Sequence, residues 1–200
     1  MRLRYSATTR AALAAAPALL LVAGLSVAHP GHDAAHGGGF AAGLTHPLLG
    51  LDHLLAMFAV GLWSLRQARS LRLMAPVLAI GGMLLGATFS WAGLQLPGVE
   101  FGIAMSVLLA GVLVAALARV PAVLGGAAVM LFMIFHGHAH GGEMPHGVSA
   151  LAYLVGFSLA TLAITLTGRL AGDWLMAREH RVLRGLGAAI AAMGALFAFG

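Results

Sequence analysis

The chain has 200 residues, 60% of them apolar and 8% charged, with a formal net charge of +5 and no cysteine. A soluble domain carries roughly 25% charged residues, and 11 basic plus 6 acidic side chains cannot clothe a water-facing surface of this size, so lipid is the expected solvent. The missing cysteines exclude disulfides, thiolate nucleophiles and thiolate-held zinc or iron–sulfur centres. The arginines flank apolar runs and decorate no polar domain, which makes nucleic acid an unexpected partner.

Residues 1–28 read as a cleaved signal peptide. Arg2, Arg4 and Arg10 precede an apolar run, and Ser26-Val27-Ala28 supplies the small residues a signal peptidase reads. A His- and Gly-rich leader, residues 29–46, follows with His29, His32 and His36; such a tail either collects metal loosely or serves only as a leader. Residues 47–200 then offer six apolar runs: 47–65, 73–94, 101–118, 120–140, 148–168 and 182–200. Each is near the roughly 20 residues that a helix needs to cross a hydrocarbon core about 30 Å thick. Alternation with period two is absent, which favours helices over barrel strands. The expected fold is all-α: a polytopic, compact bundle of six transmembrane helices, drawn close by small residues such as Gly81, Gly82 and Gly86.

Cleavage at residue 28 puts the new N-terminus outside the cytoplasm and fixes the side of every loop. Arg66, Arg69 and Arg72, then Arg119, then Arg169, Arg178, Arg181 and Arg184 all fall on the cytoplasmic side, as the positive-inside rule requires. The expected location is the bacterial cytoplasmic (inner) membrane, with both mature termini periplasmic. Histidines are distributed the opposite way. Every one except His180 falls outside or in the outer half of a span.

The first chemical motif is His46-Pro47-Leu48-Leu49-Gly50-Leu51-Asp52-His53, running on to Met57 and Gly61. An ionisable group inside an apolar span costs at least about 2.5 kcal/mol, so Asp52 and His53 are functional candidates by default. Pro47 fits a helix start, and spacings of four, three and four place His46, Gly50, His53 and Met57 on one helical stripe. His53 is then expected about 10 Å deeper than His46, at 1.5 Å per residue. Asp52, on a neighbouring face, either ligates from the side or orients a histidine.

The second motif is Phe135-His136-Gly137-His138-Ala139-His140-Gly141-Gly142-Glu143, where His136, His140 and Glu143 share a face by four-and-three spacing. Glu100, at the outer end of the third run, lies at a similar height. Imidazoles and carboxylates without thiolate describe a borderline divalent-metal site that suits nickel, cobalt, copper or zinc. Met57, Met83, Met130 and Met133 read as packing, and Trp63, Trp91 and Trp174 as interfacial anchors. A lone membrane histidine can simply hydrogen-bond a neighbouring helix; two His-and-carboxylate motifs on one side favour a metal site. Two other readings stay open: an intramembrane zinc-dependent hydrolase with Asp52 or Glu143 as base, and a haem protein with His53 and His136 as axial ligands.

The two motifs resemble the signatures of the HupE/UreJ family of nickel permeases, and the chain length, signal peptide and six-span count are similar as well. The resemblance implies a transporter and no enzyme, one that brings Ni²⁺ (or Co²⁺) into the cytoplasm for hydrogenase or urease. The ion is then a transported substrate and not a resident cofactor. It also implies that His46, Asp52, His53, His140 and Glu143 serve transport, with His136 and Glu100 beside them.

Overall fold

A computed structural model describes residues 38–177 and 179–200, and every regular element among them is a helix. In chain order these are α1 (Gly38–Leu49), α2 (Leu51–Ser64), α3 (Arg69–Trp91), α4 (Val99–Ala115), α5 (Ala122–Gly142), α6 (Ala150–Met176) and α7 (His180–Phe199). The expected signal peptide and the histidines at 29, 32 and 36 lie outside the described residues.

Four helices, α3, α5, α6 and α7, are long and apolar enough to cross a membrane, and a fifth crossing exists if α1 and α2 together make one span. Helix α4 is apolar but shorter, at 17 residues. The six apolar runs of the sequence therefore map onto seven helices among the described residues, with the ambiguity confined to α1–α2 and α4.

The first run departs most from expectation. Pro47 does not open a helix; it lies inside α1, which already begins at Gly38. Residues 38–46, assigned to the leader by composition, are helical because they pack on α6. A Cβ on Gly43 would strike the carbonyl of Tyr153, and one on Gly156 would strike that of Phe40, so the two backbones touch. Pro47 then withholds an amide from the helix ladder. Three residues later the chain breaks at Gly50, which is extended (φ −82°, ψ 108°), and α2 leaves at 80° to α1. The stripe from His46 to Met57 presumed one straight helix, and this bend divides it.

Helix α2 is the axis of the assembly and touches α1, α3, α4, α6 and α7. Its buried face includes Ala56, Met57, Ala59, Val60 and Leu62. Around it α3 pairs with α5, α4 with α7, and α6 with α1 and α2. Each of these pairs is brought together by glycine. Gly86 faces the Ile134 carbonyl while Gly137 faces that of Met83; Gly111 and Gly187 meet across α4–α7; Gly61 and Gly168 meet across α2–α6. In lipid, van der Waals contact and not apolar burial draws helices together, so close backbone approach carries much of the stability. Met57, Met83 and Met133 are fully buried in this packing. Trp63, expected at an interface, is also buried, 4% exposed, with its ring near Gly125.

One end of the bundle gathers the arginine-bearing connections. The buried Gln67 amide donates to the Ala118 carbonyl at 2.9 Å and accepts from the Val120 amide at 3.1 Å, tying the α2–α3 turn to the α4–α5 turn. Arg184 donates to the Ala115 carbonyl and Arg169 to that of Arg72. Leu117, in the α4–α5 turn, has φ 52°, a left-handed conformation uncommon outside glycine.

Because the α3–α5 contact is backbone on backbone, Gly137→Ala should lower the thermal midpoint of detergent-purified protein by the equivalent of about 1–3 kcal/mol. Gly142→Ala, whose Cβ would meet only Ser90 Oγ at an ordinary 3.6 Å, should leave it unchanged. A thermal melt of both variants checks this.

Candidate metal centre

The end opposite the arginines holds the described histidines other than His180. The break at Gly50 leaves His46 in the last turn of α1 and starts α2 with Asp52 and His53 in its first turn. Helix α5 runs to the same level and presents His136 and His140 one turn apart in its last two turns. Helix polarity suits a cation there. The C-termini of α1 and α5 carry partial negative charge, while the Asp52 carboxylate complements the N-terminus of α2.

Four imidazoles form a continuous cluster. The ring centroid of His140 lies 4.8 Å from that of His46 and 4.4 Å from that of His53, and His53 lies 4.6 Å from His136. The bend thus lets both His46 and His53 pack against the His140 ring. His136 and His140 are fully buried and His53 nearly so, while His46 is partly exposed.

The hydrogen bonds set the tautomers. Asp52 Oδ1 accepts from the His53 Nδ1–H at 2.8 Å and from the His53 backbone amide at 2.7 Å. His53 therefore keeps a lone pair on Nε2, which is buried and has no protein partner. The Glu143 carboxylate, just past the end of α5, accepts from His46 Nε2 at 2.7 Å. These two are the only ion pairs among the described residues. Both have the carboxylate–histidine form that raises the ligand strength of the remaining imidazole nitrogen. His140 is different. Both of its ring nitrogens are buried without a partner, and so is Nδ1 of His136.

Two groups of donors result, and His140 belongs to both. The outer group is His46, His140 and Glu143, whose ligand atoms lie within 4.8 Å of one another. Donors about 2.1 Å from one ion are at most about 4.2 Å apart, so the trio must draw in by at least about half an ångström to close on a cation. The inner group is His53, His136 and His140. Of the sequence candidates, six thus come together: His46, Asp52, His53, His136, His140 and Glu143. Glu100 does not join them. It is exposed in the first turn of α4 and makes no ion pair or hydrogen bond.

Sequence reasoning overlooked several supports. Phe157 of α6 stacks on the His140 ring, with centroids 5.5 Å apart and planes 16° apart, and so fixes its orientation. The Tyr153 hydroxyl donates to the His140 carbonyl at 3.2 Å and Trp91 Nε1 to the Gly141 carbonyl at 2.9 Å. Both satisfy carbonyls that the end of α5 leaves without helical partners. His138, in the same motif, donates to the Leu94 carbonyl at 2.8 Å and stays outside the cluster. Ser106 of α4 lies 2.8 Å from His136 Nε2. Its only sequence signal is a hydroxyl alone in an apolar helix. His53 and His136 meet edge to face, with ring centroids 4.6 Å apart, and do not stand apart as a pair of axial haem ligands would.

A family model described as HupE / UreJ protein matches residues 17–197. The chain belongs to the HupE/UreJ family. Protein HupE of Rhizobium leguminosarum bv. viciae is 35% identical over 176 residues, covering 88% of this chain and 92% of that protein. No solved structure matches the chain.

In this HupE/UreJ chain His140 borders both donor groups, so its loss should weaken cation binding most. Titration of purified protein with Co²⁺, followed by visible absorption, should show His140→Ala losing more affinity than the about 10- to 100-fold typical of outer-shell changes. His46→Ala should lose less, and Glu100→Gln should match wild type.

Proposed function

We propose that this protein carries Ni²⁺ across the cytoplasmic membrane into the cytoplasm for hydrogenase or urease maturation, by a secondary or facilitated mechanism. One observation carries the reading: four buried imidazole nitrogens, on His53, His136 and His140, face no protein partner. A buried polar group left unpaired costs about 1–3 kcal/mol, and a transient cation is the ligand that repays it. Imidazole suits nickel and cobalt alike; family membership favours nickel.

In this reading α1–α2 is one broken span and α4 also crosses, which makes six, with residues 1–28 a cleaved leader. The histidine end faces the periplasm and the arginine end the cytoplasm, as the positive-inside rule directs. The periplasmic group of His46, Glu143 and His140 takes up the ion and replaces part of its water shell. His140, neither of whose ring nitrogens has a protein partner, presents its one unprotonated nitrogen to either group according to its tautomer and so passes the ion to His53 and His136. Ligands must hold the ion firmly enough to select it and loosely enough to let it leave, and three exchangeable donors on either side of one shared ring meet that need.

Beyond His136 the path continues as a small cavity of about 40 Å³ between α2, α4 and α5, lined by Ala56, Val60, Trp63, Ser106, Ala110 and Val129. It is apolar apart from Ser106, and Trp63 in its wall accepts through its carbonyl from the Gln67 side chain that ties the two arginine-end turns. A narrow apolar passage of this kind gates by excluding water. Opening it calls for movement of the α4–α5 turn away from Gln67.

Radiolabelled nickel uptake tests the proposal in cells carrying wild type, His46→Ala, Asp52→Ala or His140→Ala at matched membrane levels. Uptake is expected to drop at least about tenfold in each variant, and undiminished uptake in all three would overturn the site. A ligating imidazole must be neutral, so protons compete with the cation as pH falls. Uptake in energised cells should therefore decline from about pH 7.5 to about pH 5.5. A rise over that range would mark proton-driven import instead.

A further inference from the structure

The His136 side chain is the most deeply buried of the cluster, and one of its nitrogens already has a partner. Ser106 Oγ lies 2.8 Å from His136 Nε2 and 2.6 Å from the Ile103 carbonyl. A hydroxyl has one proton to give. If Ser106 gives it to His136 Nε2, the ring proton sits on Nδ1, a buried position with no acceptor. If Ser106 gives it to Ile103, one turn back along its own helix, the hydroxyl accepts from Nε2–H and both donors of the Ser106–His136 pair are satisfied. Only a lone pair, on Nδ1, is then left unpaired. The second arrangement wins, because it makes two hydrogen bonds where the first makes one and leaves a lone pair, not an N–H, unpaired at Nδ1.

We infer that Ser106 is a positioning residue that locks His136 in its Nε2–H tautomer and so presents Nδ1 as a cation ligand beside His53. The inference rests on the cation-binding reading above. Asp52 does for His53 what Ser106 does for His136, with the nitrogens exchanged: the carboxylate holds Nδ1–H and frees Nε2. Two rings 4.6 Å apart, from α2 and α5, thereby each offer an unprotonated nitrogen to the inner group. A neutral hydroxyl at this depth achieves that without a second buried charge, which an apolar span would resist.

Solid-state or solution NMR of metal-free protein labelled with ¹⁵N-histidine reads the tautomer directly, with His136→Asn identifying the His136 signals. Wild type should show His136 protonated on Nε2 alone. Ser106→Ala should show a mixture of both tautomers and bind Ni²⁺ at least about tenfold more weakly in a competition titration. Ser106→Thr keeps the hydroxyl, and its added methyl has the adjoining cavity to enter; it should restore both properties. A wild-type His136 protonated on Nδ1 would overturn the inference, as would a Ser106→Ala protein with unchanged tautomer and affinity. The wild-type spectrum decides even if Ser106→Ala fails to fold. Absence of nickel binding in wild type would refute the nickel reading, while the tautomer comparison would still judge Ser106.

Discussion

Burying an imidazole in an apolar bundle without giving both nitrogens a protein partner is the constraint around which this structure is arranged. Three rings are held this way, on α2 and α5. Left to relax, unpaired polar groups would draw in backbone carbonyls or leave the interior. Here they cannot, because the elements that carry them are fixed by contacts elsewhere. Phe157 stacks on His140, Asp52 and Ser106 hold the far nitrogens of His53 and His136, and the α3–α5 glycine contact fixes the height of the whole α5 terminus. The rigidity of the supporting shell lets the donors stay open.

That shell explains why the glycines recur at helix contacts and not at loops alone. In a membrane, helices separated by large side chains would gain little from association, since lipid is as apolar as leucine. Backbone contact at Gly86–Gly137 and Gly61–Gly168 instead sets α5 and α2 at fixed distances from α3 and α6. The α3–α5 crossing runs through Gly137, between His136 and His140, while the α2–α6 crossing at Gly61 lies about two turns along α2 from His53. Precision at the site is therefore set partly within the second motif and partly by glycines outside both clusters of ligands.

Much of this was legible beforehand. Continuous apolar runs with no alternation specify helices, and the two motifs announced themselves because ionisable residues are costly in lipid. Six of the seven candidate ligands do meet. The reading faltered where a long-range contact decides local structure. Residues 38–46 look like a flexible leader by composition, yet the fit of Gly39 and Gly43 against α6 makes them a helix and moves Pro47 from a helix start to its interior. Glycine at position 50 was visible; an 80° bend there was not, since glycine permits a break without requiring one. Glu100 is exposed and does not join the cluster, and one-dimensional order carries no azimuth between helices. Ser106 lay hidden for the same reason, because its partner is thirty residues along the chain on another helix.

The broken first span is the feature that makes two motifs into one site. Were the chain straight through Gly50, His46 and His53 would line up along a single helix face, and one ring from α5 could meet only one of them. With the bend, α1 approaches the end of α5 from the side while α2 starts beneath it, so His140 contacts His46 at 4.8 Å and His53 at 4.4 Å. Broken helices in membranes survive only where the freed backbone and side chains are enclosed by protein or line a polar cavity. In this chain α6 encloses the α1 side through Gly43 and Gly156, and the imidazoles themselves form the polar lining. The break, the glycine contacts and the histidines are thus mutually dependent: removing the α1–α6 fit would release His46, and straightening Gly50 would separate the two donor groups that His140 now joins.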